Sequence, residues 1–162
     1  VKPSTLAATA LAVAVAAGTG SIASPRRTPA WFARLRKPCY QPPDVAFPVV
    51  WTGLYADIAT ASAVTLDRLR AAEQHDEARR YVTALATNLV LNAGWSWLFF
   101  RFHKLGPAAI GAAALTVSSA DLARRAAAVD PRAGFALSPY PAWCAFATVL
   151  STHIWRLNRS SR

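Results

Sequence analysis

Charge is scarce in this sequence, cysteine is scarcer, and the signatures of ordinary catalysis are missing. Only 16% of the 162 residues are charged while 54% are apolar, and the mean hydropathy is positive. That balance excludes a typical soluble domain and suits a small integral membrane protein. Cys39 and Cys144 lie far apart and match no metal or redox spacing. The sequence offers no metal-ligand cluster, no nucleophile paired with a base and no phosphate-binding loop, so it nominates no catalytic residue and no metal ligand. Acidic residues number eight against 18 Lys and Arg, for a net charge of +10. Nucleic acid as a partner would need a basic face on a soluble fold. Here the basic residues fall mostly between or beside apolar runs, as juxtamembrane residues do where they meet anionic head groups.

Apolar length, by contrast, is plentiful. Five segments stand out: Leu6 to Ala23, Ala46 to Leu66, Tyr81 to Phe102, a run from Leu105 that fades after Asp121, and Ala136 to Leu157. At a rise of about 1.5 Å per residue, each is long enough to cross a hydrocarbon core of about 30 Å with some tilt. The expected fold is an all-α integral membrane protein, a single domain over residues 1–162 built as a bundle of five transmembrane helices. The fourth span is the shortest, because Asp121, Arg124 and Arg125 interrupt it. The charged stretch "DRLRAAEQHDEARR" between the second and third reads as the wet ends of two helices and a short link. The first segment carries two readings. Lys2, the alanine-rich run and "SIA" at 21–23 fit a secretory signal with a small-residue cleavage site. As a span, the same segment has Ala8, Ala12, Ala16 and Gly20 every four residues, a ladder of small side chains suited to close helix packing.

Orientation is weakly encoded. Lys2, the 68–80 link, Arg124, Arg125 and Arg132 fall on one side, and Arg26, Arg27, Arg34, Arg36, Lys37, Arg101, Lys104, Arg156, Arg159 and Arg162 on the other. The two sets are nearly balanced, with a slight preference for a cytoplasmic C-terminus.

Between the first two segments the chain reads "KPCYQPPDVAFP", dense in proline. Each proline removes a backbone donor and biases its predecessor toward extended geometry, so this link is not simply helix. Irregular backbone at membrane depth survives only where it is buried in protein or faces a cavity. The stretch is expected to form a lid over the mouth of the bundle. The alternative is an ordinary interfacial loop with Trp31, Phe32 and Tyr40 as an aromatic belt.

Helical spacing gathers aromatic and polar side chains onto shared faces. Phe47, Trp51 and Tyr55 repeat every four residues, Asn88, Asn92, Trp95 and Phe99 follow at helical intervals, and so do Tyr140, Trp143, Ala147 and Ser151. Such stripes serve helix packing or line a pocket for a flat, largely apolar ligand. The Asn92 amide, in lipid, needs a partner on another helix or on a ligand.

The stretch "WFARLRKPCYQPPDVAFPVVWTGLY" resembles the signature of the TspO/MBR family, the tryptophan-rich sensory proteins and mitochondrial translocator proteins. The matching positions are Trp31, Phe32, Lys37, Pro38, Pro42, Pro43, Phe47, Pro48, Trp51, Thr52, Leu54 and Tyr55. "NAGWSWLFF" and "PYPAWCAFATVLSTHIWRLN" resemble that family's third and fifth spans, so the likeness covers about residues 31–158. The chain departs from it at Cys39, Asp44, Val45 and Ser151, and it lacks the central Tyr of the sterol-linked pattern between Val149 and Arg156. The resemblance implies a multi-pass protein of a bacterial-type cell membrane that binds tetrapyrroles such as protoporphyrin IX and haem, or other hydrophobic ligands, for transport, sequestration or stress signalling. A light-dependent porphyrin-degrading enzyme and a hydrophobic-ligand or sterol transporter are the alternatives. It implies a homodimer with no required cofactor. Together with the stripes it points to a pocket of Pro42, Trp51, Tyr55, Asn92, Trp95, Trp143 and Ala147, with Phe32 from the lid.

Two polar residues in the spans carry open readings. His153 bonds a neighbouring carbonyl near the interface or serves as an axial haem ligand. Asp57, well inside the second span, is neutral or Thr-bonded, with proton coupling as the alternative.

Overall fold

A computed structural model of the chain describes residues 1–24 and 29–161; Arg26, Arg27 and Arg162, counted above among the basic residues, lie outside it. The described residues form helices and connecting turns with no strand. In chain order the helices are α1 (Pro3–Ala23), α2 (Ala30–Arg34), α3 (Ala46–Ala71), α4 (His75–Ser96), α5 (Leu105–Val129), α6 (Pro131–Leu137) and α7 (Pro139–Asn158). A π-helical turn, Trp97–Arg101, extends α4.

Proline placement explains many of these boundaries. Pro3, Pro48, Pro107, Pro131, Pro139 and Pro141 all sit in the first turn of a helix, where the missing N–H has no partner to lose. Pro38, Pro42 and Pro43 hold the segment between α2 and α3 out of regular structure. The turn between α3 and α4 is only three residues long and is closed by Glu73 in the left-handed region, at φ 57°. Asp76 and Glu77 then occupy the first turn of α4, where negative charge favours the helix dipole.

Among the described residues, four helical segments are long and apolar enough to cross a membrane: α1, α3, α5 and the α6–α7 unit, Pro131–Asn158. The protein is a multi-pass integral membrane protein. The third expected segment corresponds to α4 and its π turn, and it falls outside that group because its first two turns are charged and asparagine and threonine recur along it. Two expected boundaries also shift. The fourth segment does not fade after Asp121 but runs on to Val129, because Asp121 is paired along its own helix with Arg124 and Arg125 at 2.6 and 2.7 Å. The fifth is broken at Ser138, ahead of Pro139 and Pro141.

In the bundle α1 packs against α3 and α4, α5 lies between α4 and α7, and α6 folds back on α5 and α3. The close approach of α6 to α5 demands glycine. A Cβ on Gly134 would stand 2.3 Å from the Ala127 Cβ, far inside contact distance. Asp130 fixes this corner by capping α6 through the Arg132 N–H at 2.9 Å and by pairing with Arg68 of α3 at 2.9 Å.

The small-residue ladder of α1 is only half engaged. Its buried face is Thr5, Thr9, Val13, Ala16, Gly20 and Ala23, whereas Ala8 and Ala12 are exposed. Thr9 donates to the Ala59 carbonyl at 2.8 Å and Thr5 to the Asp67 carboxylate at 2.7 Å, so hydroxyls hold the N-terminal half of α1 to α3. At the other end Gly20 meets Ser96 closely, and the Trp97 indole donates to the Thr19 carbonyl at 3.2 Å.

Two apolar clusters result. One, aliphatic in the main, fills the bundle from Val13 through Ile58, Leu85 and Leu122 to Leu137. The other is aromatic and sits at the opposite end, where Phe32, Phe99, Leu150 and Ile154 are buried beneath Trp31, Phe47, Trp95 and Phe100.

Candidate ligand-binding site

At the aromatic end the helices do not close on one another. A cavity of about 790 Å³ lies between α1, α3, α4 and α7, bounded by the segment that precedes α3. Six of the eight residues expected at a pocket line it: Phe32, Trp51, Tyr55, Asn92, Trp95 and Ala147. Pro42 does not, although its neighbours Gln41 and Asp44 do. Trp143 does not either. It packs edge-on against Phe47 at 5.8 Å between ring centroids, and Phe47 takes the place at the wall.

Helix geometry accounts for this wall. Phe47, Trp51 and Tyr55 project from one stripe of α3, and Trp51 and Tyr55 are 5.5 Å apart by ring centroid. From α4 come Asn92 and Trp95. The π turn then presents both Phe99 and Phe100, consecutive residues that an α-helix would point about 100° apart. Such turns are rare and frequent at functional sites. Trp95 stacks on Phe99 at 5.5 Å, and Phe32 meets Phe99 edge-on at 5.9 Å. Spacing alone did not single out the contribution of α1, where Ala17, Gly20 and Ser21 complete the wall. The signal available was the Ala16 and Gly20 end of the small-residue ladder.

Polar groups at the wall fall into two kinds. Asn92 is answered by protein: its Oδ1 accepts from the Tyr55 hydroxyl at 2.9 Å and its Nδ2 donates to the Tyr140 hydroxyl at 3.2 Å. Tyr140, fully buried, donates onward to Asn88 Oδ1 at 2.8 Å, and Asn88 Nδ2 donates to Ser118 of α5 at 3.2 Å. One hydrogen-bonded chain thus runs from the cavity through four helices, and it removes the α4 amides from lipid. The second kind is unanswered. Trp95 Nε1, a donor, and Gln41 Oε1, an acceptor, are buried without a partner among the described residues. An orphaned buried group is costly unless something else supplies the bond.

The segment before α3 is tied to the far end of α7. Asn158 accepts from the Arg36 N–H at 3.0 Å and donates to the Arg36 carbonyl at 2.9 Å. The Tyr40 hydroxyl and His153 Nδ1 are 2.9 Å apart. His153 therefore meets a tyrosine, not the carbonyl expected for it, and no imidazole of the described residues lines the cavity. His103 stacks on Trp31 at 3.9 Å. Lys37 places its ammonium 4.2 Å over the Phe32 ring, so a cation sits beside the aromatic wall. Asp57 lies away from the cavity, and Thr60 donates to its backbone carbonyl at 3.1 Å, not to its carboxylate.

Fold and site together define a multi-pass helical membrane protein with an aromatic-walled cavity near one end of its bundle. The TspO/MBR family profile matches residues 8–156, and the chain belongs to this family. It is 32% identical over 148 residues to Protein CrtK of Rhodobacter capsulatus, covering 91% of this chain and 89% of that one. It is 32% identical over 139 residues to the Tryptophan-rich protein TspO of Chlorobaculum tepidum, covering 86% of each. To the Translocator protein of Sus scrofa it is 33% identical over 135 residues, covering 82% and 77%.

Proposed function

We propose that the protein is a membrane receptor for tetrapyrroles such as protoporphyrin IX or haem, which it binds in the aromatic cavity for transport, sequestration or signalling. The carrying observation is the cavity itself. Its volume of about 790 Å³ lies in the range of small-molecule sites, about 300–1,000 Å³, and its wall is rich in aromatic side chains, with Gln41, Asp44, Asn92 and several serines among them. A planar macrocycle would stack against Trp51 and Phe99, and its polar edge would meet the unpaired Trp95 N–H and the ammonium of Lys37, which lies over the Phe32 ring.

In this reading α4 is the fifth crossing, since its asparagines are paired inside the bundle. Residues 31–48 form the lid, supported by the Arg36–Asn158 pair. The functional unit is a homodimer, as the family resemblance implies. Titration with protoporphyrin IX and with haem, followed by the Soret band, tests the proposal. Saturable binding that weakens when Trp95 is changed to Ala is expected. Binding that fails to saturate, or that ignores the substitution, would rule the cavity out as a tetrapyrrole site.

A further inference from the structure

A second concavity, of about 910 Å³, opens on the opposite half of the bundle between α4 and α5. Its walls change character along its length. At one end stand Arg79 and Arg80 of α4 and Arg125 of α5; further in come Thr83 and Thr87, then Ala114 and Val117. The extent matches one leaflet. Arg79 to Thr87 covers about 12 Å of helix axis and Arg125 to Ala114 about 17 Å, against about 15 Å for half a hydrocarbon core.

The arginines have capacity to spare. Arg79 pairs with Asp76, Arg80 with Glu77 at 2.9 Å, and Arg124 and Arg125 share Asp121. These pairs are intrahelical and mostly exposed, of the kind that contributes little and yields readily to competition. Each leaves most of the guanidinium N–H groups unused. In the groove's wall three arginines, Arg79, Arg80 and Arg125, stand with only two carboxylates, Asp76 and Asp121, so the rim keeps an excess of positive charge. We propose that this groove binds an anionic phospholipid, with its phosphate on the Arg79, Arg80 and Arg125 guanidiniums and an acyl chain lying along Ala84, Ala114 and Val117. Guanidinium suits a phosphate diester through paired N–H donors. Charge complementarity singles out the acidic lipid, because a zwitterionic head group brings its own cation to a rim already rich in cations.

The groove also touches the hydrogen-bonded chain from the tetrapyrrole cavity, since Ser118 lies in its wall and accepts from Asn88. The site is independent of what the cavity binds.

The test is native mass spectrometry of delipidated protein exposed to phosphatidylglycerol or to phosphatidylcholine. One phosphatidylglycerol per chain is expected to survive release, preferred over phosphatidylcholine by about tenfold or more. Substituting Arg79→Gln, Arg80→Gln and Arg125→Gln together removes the preference, and the triple Arg→Lys variant keeps most of it. Thr87→Trp, which fills the groove without touching an arginine, lowers retention of the lipid and guards against misfolding of the charge variant. Equal retention of both lipids, or an unchanged preference in the Gln variant, overturns the proposal. So does protection by glycerol 1-phosphate alone, which would mark a free-anion site, or efficient disulfide formation between two Thr87→Cys copies in lipid, which would mean that a second copy covers the face.

Discussion

The Tyr140 hydroxyl donates to Asn88 Oδ1 at 2.8 Å while accepting from Asn92 Nδ2 at 3.2 Å, so one phenol answers two amides of α4. Removing it strands both. Tyr140→Phe should cost about 2 kcal/mol, more than a single interhelical bond in a membrane usually contributes, because two buried groups lose their partner at once. Tyr55→Phe removes one bond at the cavity edge and should cost about 0.6 kcal/mol. Unfolding of the purified protein in mixed micelles at rising SDS fraction gives both values, and equal costs would contradict the shared role of Tyr140.

The cavity wall separates two tryptophans that the family resemblance and the stripes assign to one pocket. Trp51→Phe keeps aromatic area but loses the larger indole, and should weaken protoporphyrin IX by about 1 kcal/mol, or about fivefold. Trp143→Phe should leave affinity within about twofold, because Trp143 stands behind Phe47. Soret absorbance reads both without depending on tryptophan emission. Under illumination, loss of porphyrin in the parent that disappears in a normally binding Trp51→Phe variant would favour the degrading enzyme.

In the segment before α3, Asn158→Ala removes both bonds to the Arg36 backbone. Ordering the segment then costs more, and ligand should dissociate about five- to tenfold faster with little change in stability. Stopped-flow displacement of bound porphyrin measures this. An unchanged off-rate would leave residues 31–48 as a connector.

Gly134→Ala should destabilise the protein by about 2–3 kcal/mol, since the new Cβ falls on Ala127 with backbone close behind it. Glu73→Gly should do the reverse by about 0.5–1 kcal/mol, because glycine occupies the left-handed region without a Cβ penalty. Thermal unfolding in detergent orders the three proteins.

The parts of this site that sequence made legible are those set by one helix at a time. Phe47, Trp51 and Tyr55 follow from a four-residue repeat, and Asn92 and Trp95 from the same logic on α4, because side-chain direction along an α-helix is fixed by its period. Relations between helices were not legible. Trp143 shares a face with Ala147 by spacing, yet only the ring contact between α7 and α3 decides that Phe47 and not Trp143 reaches the cavity. Ala17 and Ser21 of α1 look like any small residues until α1 is placed. Sequence allows the partner of Asn92 to be either a helix or a ligand, and Tyr55 and Tyr140 supply it from 37 and 48 residues away.

The π turn Trp97–Arg101 behaves as a one-residue surplus in the phase of its helix. A chain shortened by one residue within that turn could rewind it as ordinary α-helix, keep the bundle and its loops, and still lose the pairing of Phe99 with Phe100 at the wall. Length in this stretch therefore encodes the shape of the cavity, while residue identity elsewhere encodes its lining, and a single-codon deletion there is a mutation of the site and not of the scaffold.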